Sequence, residues 1–367
     1  MATEDSHLLK VAEIVRETAD AVSVHFEIPA GESEAFAFKP GQFLTLGVPS
    51  DQTGLVARAY SICTPPGDGL AVTVKRTAEG YASNWINDNL RAGDTVRVLP
   101  PSGIFTPKTL DTDLLLLAGG SGVTPIMSIA GHALAQGTGK ITVFYANRDE
   151  GSVIFAEKLR ELAAAHPERL QVIHWLESVQ GLPSAAQMKA FLAQYDGWTS
   201  FCCGPAPFMK MVQTALKELE VPRERRHQEK FISLGGNPFG DVEEVLAAQA
   251  TLAEADDADD GDEESAGAEE AAVAGPVAVE VELDGETFNF VDWDGRQHLL
   301  DFLESKGIAA PFSCREGECS ACACMVLEGD LSMTRNDVLE ADDLADGIRL
   351  SCQARALTEK VRVTYNG

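Results

Sequence analysis

The sequence lacks a basic start followed by an apolar run. It opens MATEDSHLLK, and nothing there reads as a signal peptide. It also lacks any stretch near the ~18 uninterrupted apolar residues of a spanning helix, so no membrane association is expected and a reducing cytoplasm is the expected compartment. Basic residues are scarce. There are 29 Lys and Arg against 57 Asp and Glu, a net charge of -28 at pH 7, which excludes a basic face for nucleic acid. The seven His are scattered, without the C-x-H pairs of a Rieske centre or a clustered facial triad.

The acidity is unevenly spread. Segment 232–275 carries 13 acids and no Lys or Arg, and 276–367 carries 18 acids against 8 bases, so the first 231 residues hold only -5. The core of the first segment, AEADDADDGDEESAGAEEAAVAGP, has no aromatic residue and too little apolar surface to offset ordering entropy. It reads as an extended, self-repelling tether, with 241–254 able to form a transient helix.

A chain of 367 residues fits two or three domains. Short segments at 7–15, 22–28, 42–48, 57–63 and 70–76, punctuated by Pro, Gly and Asp, predict strands of a small antiparallel β-barrel with one helix near 83–89. From about residue 113 the pattern alternates. Strands are expected at 114–118, 140–146, 170–175 and 199–203, and helices up to about 136, over 153–166 and over 207–220. That order predicts a doubly wound parallel sheet. The last region predicts a hairpin of 277–283 with 287–291, an amphipathic helix over 297–306, and strands at 324–327 and 360–365. The expected domains are therefore 1–108, 109–233, the linker 234–276, and 277–367.

Eight cysteines are present, five of them in the last quarter. Cys314, Cys319 and Cys322 stand in C-x4-C-x2-C spacing, and Cys352 follows after 29 further residues. This is the pattern of a plant-type [2Fe-2S] site. Three thiolates come from one tight loop and the fourth from a distant segment, while Gly317, Ser320 and Ala321 let backbone N–H groups approach the sulfurs. A zinc site would favour two short C-x2-C pairs instead. Cys324 reads as a small buried strand residue.

Gly119-Gly-Ser-Gly122-Val-Thr124-Pro125 follows an apolar strand and opens a helix, which makes an anion site at a helix N-terminus. Thr124 is expected to cap that helix and Pro125 suits its first turn. The third glycine of the standard fingerprint is missing, so a plain tight turn stays open. Cys203-Gly204-Pro205 ends another strand at the ligand-binding edge of the sheet, although a cysteine there is also an ordinary core residue. In the barrel, Arg58, Tyr60 and Ser61 put a cation, a ring and a hydroxyl on one strand. Gly80-Tyr-Ala82-Ser83 opens a second phosphate-ready helix. Each of these alone also suits an ordinary surface strand. Arg148, after the strand 140–146, can pair with a 2′-phosphate, and Asp149 or Glu150 can instead hold a ribose hydroxyl.

Taken together, these motifs resemble the ferredoxin–NADP reductase superfamily, in the class with a C-terminal plant-type ferredoxin domain. The resemblance covers the chain except the acidic tether. Within that class it is most similar to the reductases of 3-ketosteroid 9α-hydroxylases, with phenylacetyl-CoA oxygenase reductases close by, through PGQFLTLGVPSDQTGLVARAYSICTPP and YANRDEGSVIFAEKL. The resemblance implies a FAD-binding β-barrel, an NAD(P)H-binding α/β domain and a β-grasp ferredoxin domain. It places Arg58, Tyr60 and Ser61 at the flavin, with Ser61 beside its reactive nitrogen. Lys75, Gly80, Ala82 and Ser83 fall at the FAD pyrophosphate. Gly120, Gly122, Thr124 and Pro125 fall at the nicotinamide nucleotide, and Cys203, Gly204 and Pro205 beside its ring. Glu229 and Phe231 would end the reductase unit near the flavin, and Phe231 stands where several relatives have Tyr. In this reading Ser61, Cys203 and Glu229 position and polarise the reactants.

The implied activity is transfer of electrons from NADH or NADPH, with NADH favoured, through FAD and the [2Fe-2S] cluster to a partner oxygenase. By resemblance that partner is a Rieske oxygenase acting on a steroid, met by a monomer through transient electrostatic docking. Three alternatives remain: a reductase for a phenylacetyl-CoA or aromatic-ring oxygenase, a redox-sensing interaction protein, and a zinc-stapled module.

Overall fold

The first strands form because Val, Leu and Phe alternate along them between turn residues. In the computed structural model, β1 (His7–Thr18), β2 (Ala21–Glu27), β3 (Phe43–Ser50), β4 (Gly54–Ser61), β5 (Leu70–Lys75) and β6 (Thr95–Ser102) make one sheet in the order β4-β3-β6-β1-β2-β5. The described residues are 6–50, 54–78, 80–229, 231, 272–283, 285–308, 310–312, 315–317, 319–339 and 341–365. The two ends of the sheet meet. Ile62, just past β4, bridges Val72 of β5, and Cys63 N donates to Ala71 O at 2.9 Å, which closes a barrel. Helix α1 (Tyr81–Asn89) buries Ala82 and Ile86 in the barrel core, beside Leu44, Leu46 and Val74. β6 is absent from the segments expected above. Its Pro100 and Pro101 argue against a strand. They fall in an irregularity of the ladder to β3, between the paired residues Leu99 and Ser102, so neither has to donate there.

The apolar run of β7 (Leu114–Gly119) is buried on both faces, as a central parallel strand requires. It is followed by α2 (Val123–Gln136), β8 (Ile141–Asn147), α3 (Ala156–Ala165), β9 (Leu170–Leu176), α4 (Glu177–Gln180), α5 (Ala185–Leu192), β10 (Thr199–Cys203), α6 (Ala206–Glu218) and β11 (Arg226–Glu229). The strands are parallel in the order β11-β10-β7-β8-β9. Leu114, Leu116 and Ala118 join the core that includes α2 and α3, while Leu115 and Leu117 join that of α5 and α6. Each such buried leucine contributes roughly 2 kcal/mol. The order reverses between β7 and β10, and the carboxyl ends there form the ligand crevice of such sheets.

Three local expectations are corrected. α3 starts at Ala156 rather than 153, because Glu150–Ser152 is a 3-10 turn and Phe155 adopts a left-handed φ of 60°. Thr124 does not cap α2. Gly122 holds the cap position without a side-chain bond, and Thr124 Oγ1 donates back to Ser121 O at 3.1 Å. The strand β11 and the helices α4 and α5 were not anticipated. β11 reads Arg-His-Gln-Glu, without the apolar run of a parallel strand, because it lies at the sheet edge.

The C-terminal region forms a mixed sheet in the order β13-β12-β18-β14-β16. β12 (Pro276–Leu283) and β13 (Glu286–Asp294) are the expected hairpin, and β18 (Lys360–Thr364) runs parallel to β12. β14 (Ala323–Glu328) pairs with β18 and with β16 (Ile348–Leu350), while β15 (Leu331–Met333) and β17 (Ala354–Ala356) pair separately. Helix α7 (Leu299–Ser305), shorter than expected, packs Leu299, Leu300 and Leu303 around fully buried Trp293, and α8 (Ala341–Ala345) precedes β16. The chain divides into two units. One comprises His7–Val48 and Arg58–Phe231, so it holds most of the barrel and the parallel sheet, and the other carries the C-terminal region together with Pro49–Ala57. Of the segment 234–276 expected to be a tether, residues up to 271, with the transient helix at 241–254, lie outside the described residues; its end is not linker, since β12 starts at Pro276 and Val273 N donates to Ala356 O at 2.8 Å.

Candidate functional site

The crevice is built from one row of residues across the parallel sheet. The register pairs Glu229 of β11 with Cys203 of β10, Cys203 with Ala118 of β7, and Ala118 with Tyr145 of β8. The barrel reaches into this row, with Ser61 Oγ donating to Glu229 Oε2 at 3.2 Å. Residues 168 positions apart thus meet where the two cores join.

Burial dominates the electrostatics here. The Glu229 carboxyl is pushed from 4.5 up to about 8 by burial, only partly offset by the Ser61 hydrogen bond. The Cys203 thiol is raised well above its usual value by burial and then by the neighbouring Glu229. At neutral pH both groups are therefore protonated, and the row is polar without net charge. Cys202 points to the opposite face and belongs to the core with Phe144 and Val212. A consequence for stability follows. The folded carboxyl holds its proton more tightly than the unfolded one, so the protein loses stability as pH rises from 4.5 towards about 8. Glu229→Gln is expected to gain thermal stability relative to the parent across that window, as measured by melting temperature against pH. A difference independent of pH would contradict this.

Two turns close on each other beneath the row. A Cβ on Gly122 would lie 2.1 Å from Cys203 O, and one on Gly204 would lie 2.9 Å from Gly119 N. Only glycine permits this approach of backbone to backbone. Gly120 holds a φ of +52° within the turn. Pro205 caps α6, and its ring lies against Gly119. Pro125 sits in the first turn of α2, whose N-terminus has no side-chain cap. This arrangement suits a dinucleotide pyrophosphate.

The barrel side is preorganised in a similar way. Gly80 caps α1 without a side-chain bond. Ser83 Oγ accepts from Thr77 N at 3.0 Å, and Asn84 Nδ2 donates to Gly80 O at 2.8 Å, so the loop before the helix is held in shape. A Cβ on Gly80 would meet Thr77 Cβ at 2.9 Å. Tyr60 packs against the barrel core, and its phenol is pushed up by burial, opposed by Arg58. Lys75 Nζ lies 3.9 Å from Asp20 Oδ2. Phe231 is 48% exposed. These residues fit a FAD: an open helix start for phosphate, a ring and a buried hydroxyl, with Lys75 standing beside Asp20 and the Gly120 turn.

The thiol site is in the C-terminal unit. Cys319, Cys322 and Cys352 are all buried. The Cys322 thiol hydrogen-bonds that of Cys352, within electrostatic reach of Cys319. Among the described residues no three His, Cys, Asp or Glu side chains converge on a single ion position. A two-iron cluster takes two thiolates per iron, so a close pair is one iron's share. Cys314 lies outside the described residues. The loop is clamped around the thiols. Gly317 has φ +72°, and a Cβ there would lie 2.7 Å from Arg335 O. Gln353 Nε2 donates to Arg315 O at 2.7 Å, and Ser351 N to Cys322 O at 3.0 Å. Arg315 pairs with Glu304 of α7 and stacks over Phe312 at 4.1 Å. The donor set and the glycine-dependent loop fit a [2Fe-2S] cluster. Cys324 belongs to the strand core, its thiol pushed up to about 12 by burial.

Comparison with known proteins agrees with this layout. Residues 116–214 match the oxidoreductase NAD-binding domain family, and 281–357 match the 2Fe-2S iron-sulfur cluster binding domain family. The chain is 49% identical over 362 residues to the 3-ketosteroid-9-alpha-monooxygenase, ferredoxin reductase component, of Rhodococcus rhodochrous, covering 98% of this chain and 97% of the relative. It is 32% identical to one of the proteins that make up the 1,2-phenylacetyl-CoA epoxidase of Escherichia coli, covering 98% of each. Phthalate dioxygenase reductase shares the fold, with a TM-score of 0.55 at 22% identity and 98% of each chain covered. Among the described residues no helix is long and apolar enough to cross a membrane. The chain therefore belongs to the ferredoxin–NADP reductase-like family of oxygenase reductase components, oxidoreductases that join FAD- and NAD-binding domains to a C-terminal [2Fe-2S] domain.

Proposed function

We propose that this chain carries electrons from NADH to the Rieske oxygenase of a 3-ketosteroid 9α-hydroxylating system. The observation that supports this most is the row Glu229–Cys203–Ala118, met by Ser61 at 3.2 Å beside two glycine turns. It offers hydride transfer a neutral, water-poor floor between a flavin pocket and a nucleotide turn. The steroid assignment rests on 49% identity to the 3-ketosteroid reductase against 32% to the phenylacetyl-CoA one.

When bound, FAD accepts a two-electron hydride and the cluster takes electrons singly. The residues supply position and polarity. Ser61 and Glu229 would position the flavin ring, and Cys203 would stand beside the nicotinamide. Arg58, Lys75, Gly80, Ala82 and Ser83 would hold the FAD, and Tyr60 and Phe231 would contact it. Gly120, Gly122, Thr124, Pro125, Gly204 and Pro205 shape the NADH turn, and Arg148 lies at its adenosine end. Cys314, Cys319, Cys322 and Cys352 hold the irons. The domains run 1–108, 109–233 and 272–367, joined by an acidic linker at 234–271. The free thiols among the described residues suit a reducing cytoplasm.

The chain works as a monomer with transient contact to the oxygenase. The net -10 of 276–367 favours a basic docking patch. Turnover with the oxygenase is therefore expected to fall as ionic strength rises from ~0.05 to ~0.5 M, while NADH reduction of the isolated protein changes little. The functional test is reconstitution. The purified chain with NADH and a 3-ketosteroid 9α-oxygenase component should yield 9α-hydroxylated steroid. Coupling instead to a phenylacetyl-CoA oxygenase alone would overturn the steroid assignment.

A further inference from the structure

We propose that Asp20, in the turn between β1 and β2 of the barrel, sets the choice between NADH and NADPH by occupying Arg148 and opposing a 2′-phosphate. This rests on the reading that the dinucleotide pyrophosphate lies at the Gly119–Gly122 turn. In a doubly wound sheet the adenosine ribose is read at the carboxyl end of the next strand. That strand is β8, and Arg148 follows it directly.

A guanidinium there, with its rigid fork of donors, is suited to a 2′-phosphate and would by itself favour NADPH. Arg148 is already engaged. Its Nη2 lies 3.2 Å from Asp20 Oδ2, a carboxylate 128 positions earlier. The adjacent Asp149 carboxyl accepts from Ser152 Oγ at 2.7 Å in its own turn and feels Arg148 only as a secondary influence, whereas Asp20 accepts a direct hydrogen bond from it.

Asp20 is itself fixed. Thr18 Oγ1 donates to its Oδ1 at 2.8 Å, and Arg76 N donates to its carbonyl at 2.7 Å. Lys75 Nζ stands 3.9 Å from the same Oδ2 and 3.9 Å from where a Cβ on Gly120 would be. One carboxylate is thus shared by two cations next to the glycine turn. A 2′-phosphate would have to displace it and remain beside its charge, and both effects act against NADPH. A ribose hydroxyl meets neither.

The Arg148 side chain is 65% exposed and that of Asp20 30%. A pair so open to water adds little to stability. Its removal is therefore not expected to unfold the protein, and selectivity is where it acts. A clamp between barrel and parallel sheet would be a different role, and it would affect both nucleotides alike.

The test titrates ADP-ribose and its 2′-phosphate onto the full-length holoprotein, reading binding directly and without electron transfer. The parent should prefer ADP-ribose. Asp20→Asn should tighten the 2′-phosphorylated ligand about tenfold while ADP-ribose changes less than about twofold. Adding Arg148→Ala should abolish that gain. An unchanged ratio in Asp20→Asn, or equal weakening of both ligands, would overturn the proposal while leaving the nucleotide turn intact. If neither ligand bound the parent, the assignment of that turn would fail and this inference with it.

Discussion

Cys322→Ser is expected to remove the cluster's visible absorption and end transfer to one-electron protein acceptors. Most of the barrel and the parallel sheet form a separate unit from the C-terminal region, so the flavin should still be reduced by NADH and pass electrons to a small soluble oxidant such as ferricyanide. Cys322 is 1% exposed and hydrogen-bonds Cys352, so its loss removes one member of that thiol pair. Cys324→Ala is the matching control. It removes a sulfur from the same sheet, but one in the strand core. It should cost about 1 kcal/mol of stability and leave the cluster spectrum intact. Iron content, visible spectrum and the two acceptor assays check both variants. A Cys322→Ser protein with a normal cluster would contradict the ligand assignment, as would a clusterless Cys324→Ala.

Gly122→Ala is expected to slow flavin reduction by NADH about 100-fold, because a displacement near 1 Å at a positioning turn is enough for that loss. The new Cβ would lie 2.1 Å from Cys203 O, so the Gly119–Gly122 turn and the Cys203–Pro205 turn must separate. Gly120→Ala is the informative contrast. Its φ of +52° carries a strain of about 1–2 kcal/mol, but the nearest group is Lys75 Nζ at 3.9 Å. It should therefore reduce the rate far less. Stopped-flow reduction rates of the two holoproteins decide the order, and equal losses would show that strain rather than approach governs this turn.

Much of this architecture could be read from residues because it depends on local chemistry. The run Leu114–Gly119 followed by glycines reads as a buried strand entering a tight turn, although residues alone left open whether that turn holds a ligand. The C-x4-C-x2-C loop announces its cluster through ligand count and spacing. What could not be read is what depends on long-range register. Glu229 lies on a polar edge strand with no pattern of its own, and only its pairing with Cys203 brings it to Ser61. Resemblance pointed to Glu229, whereas periodicity did not. Asp20 left no signal at all, since an acid in a turn is ordinary until the fold sets it beside Arg148. Thr124 was expected to cap α2 on residue type alone. The helix starts instead at Gly122, pressed against β10, where no side chain fits. β6 was hidden by two prolines that the sheet tolerates because they sit where its ladder to β3 is irregular.

The most direct test of the account is anaerobic stopped-flow of the full-length holoprotein mixed with NADH, following flavin and cluster absorption separately. The account predicts fast flavin bleaching followed by cluster bleaching, with the second phase missing in Cys322→Ser. Flavin reduction with a cluster that stays oxidised, or a protein that does not respond to NADH, would contradict it.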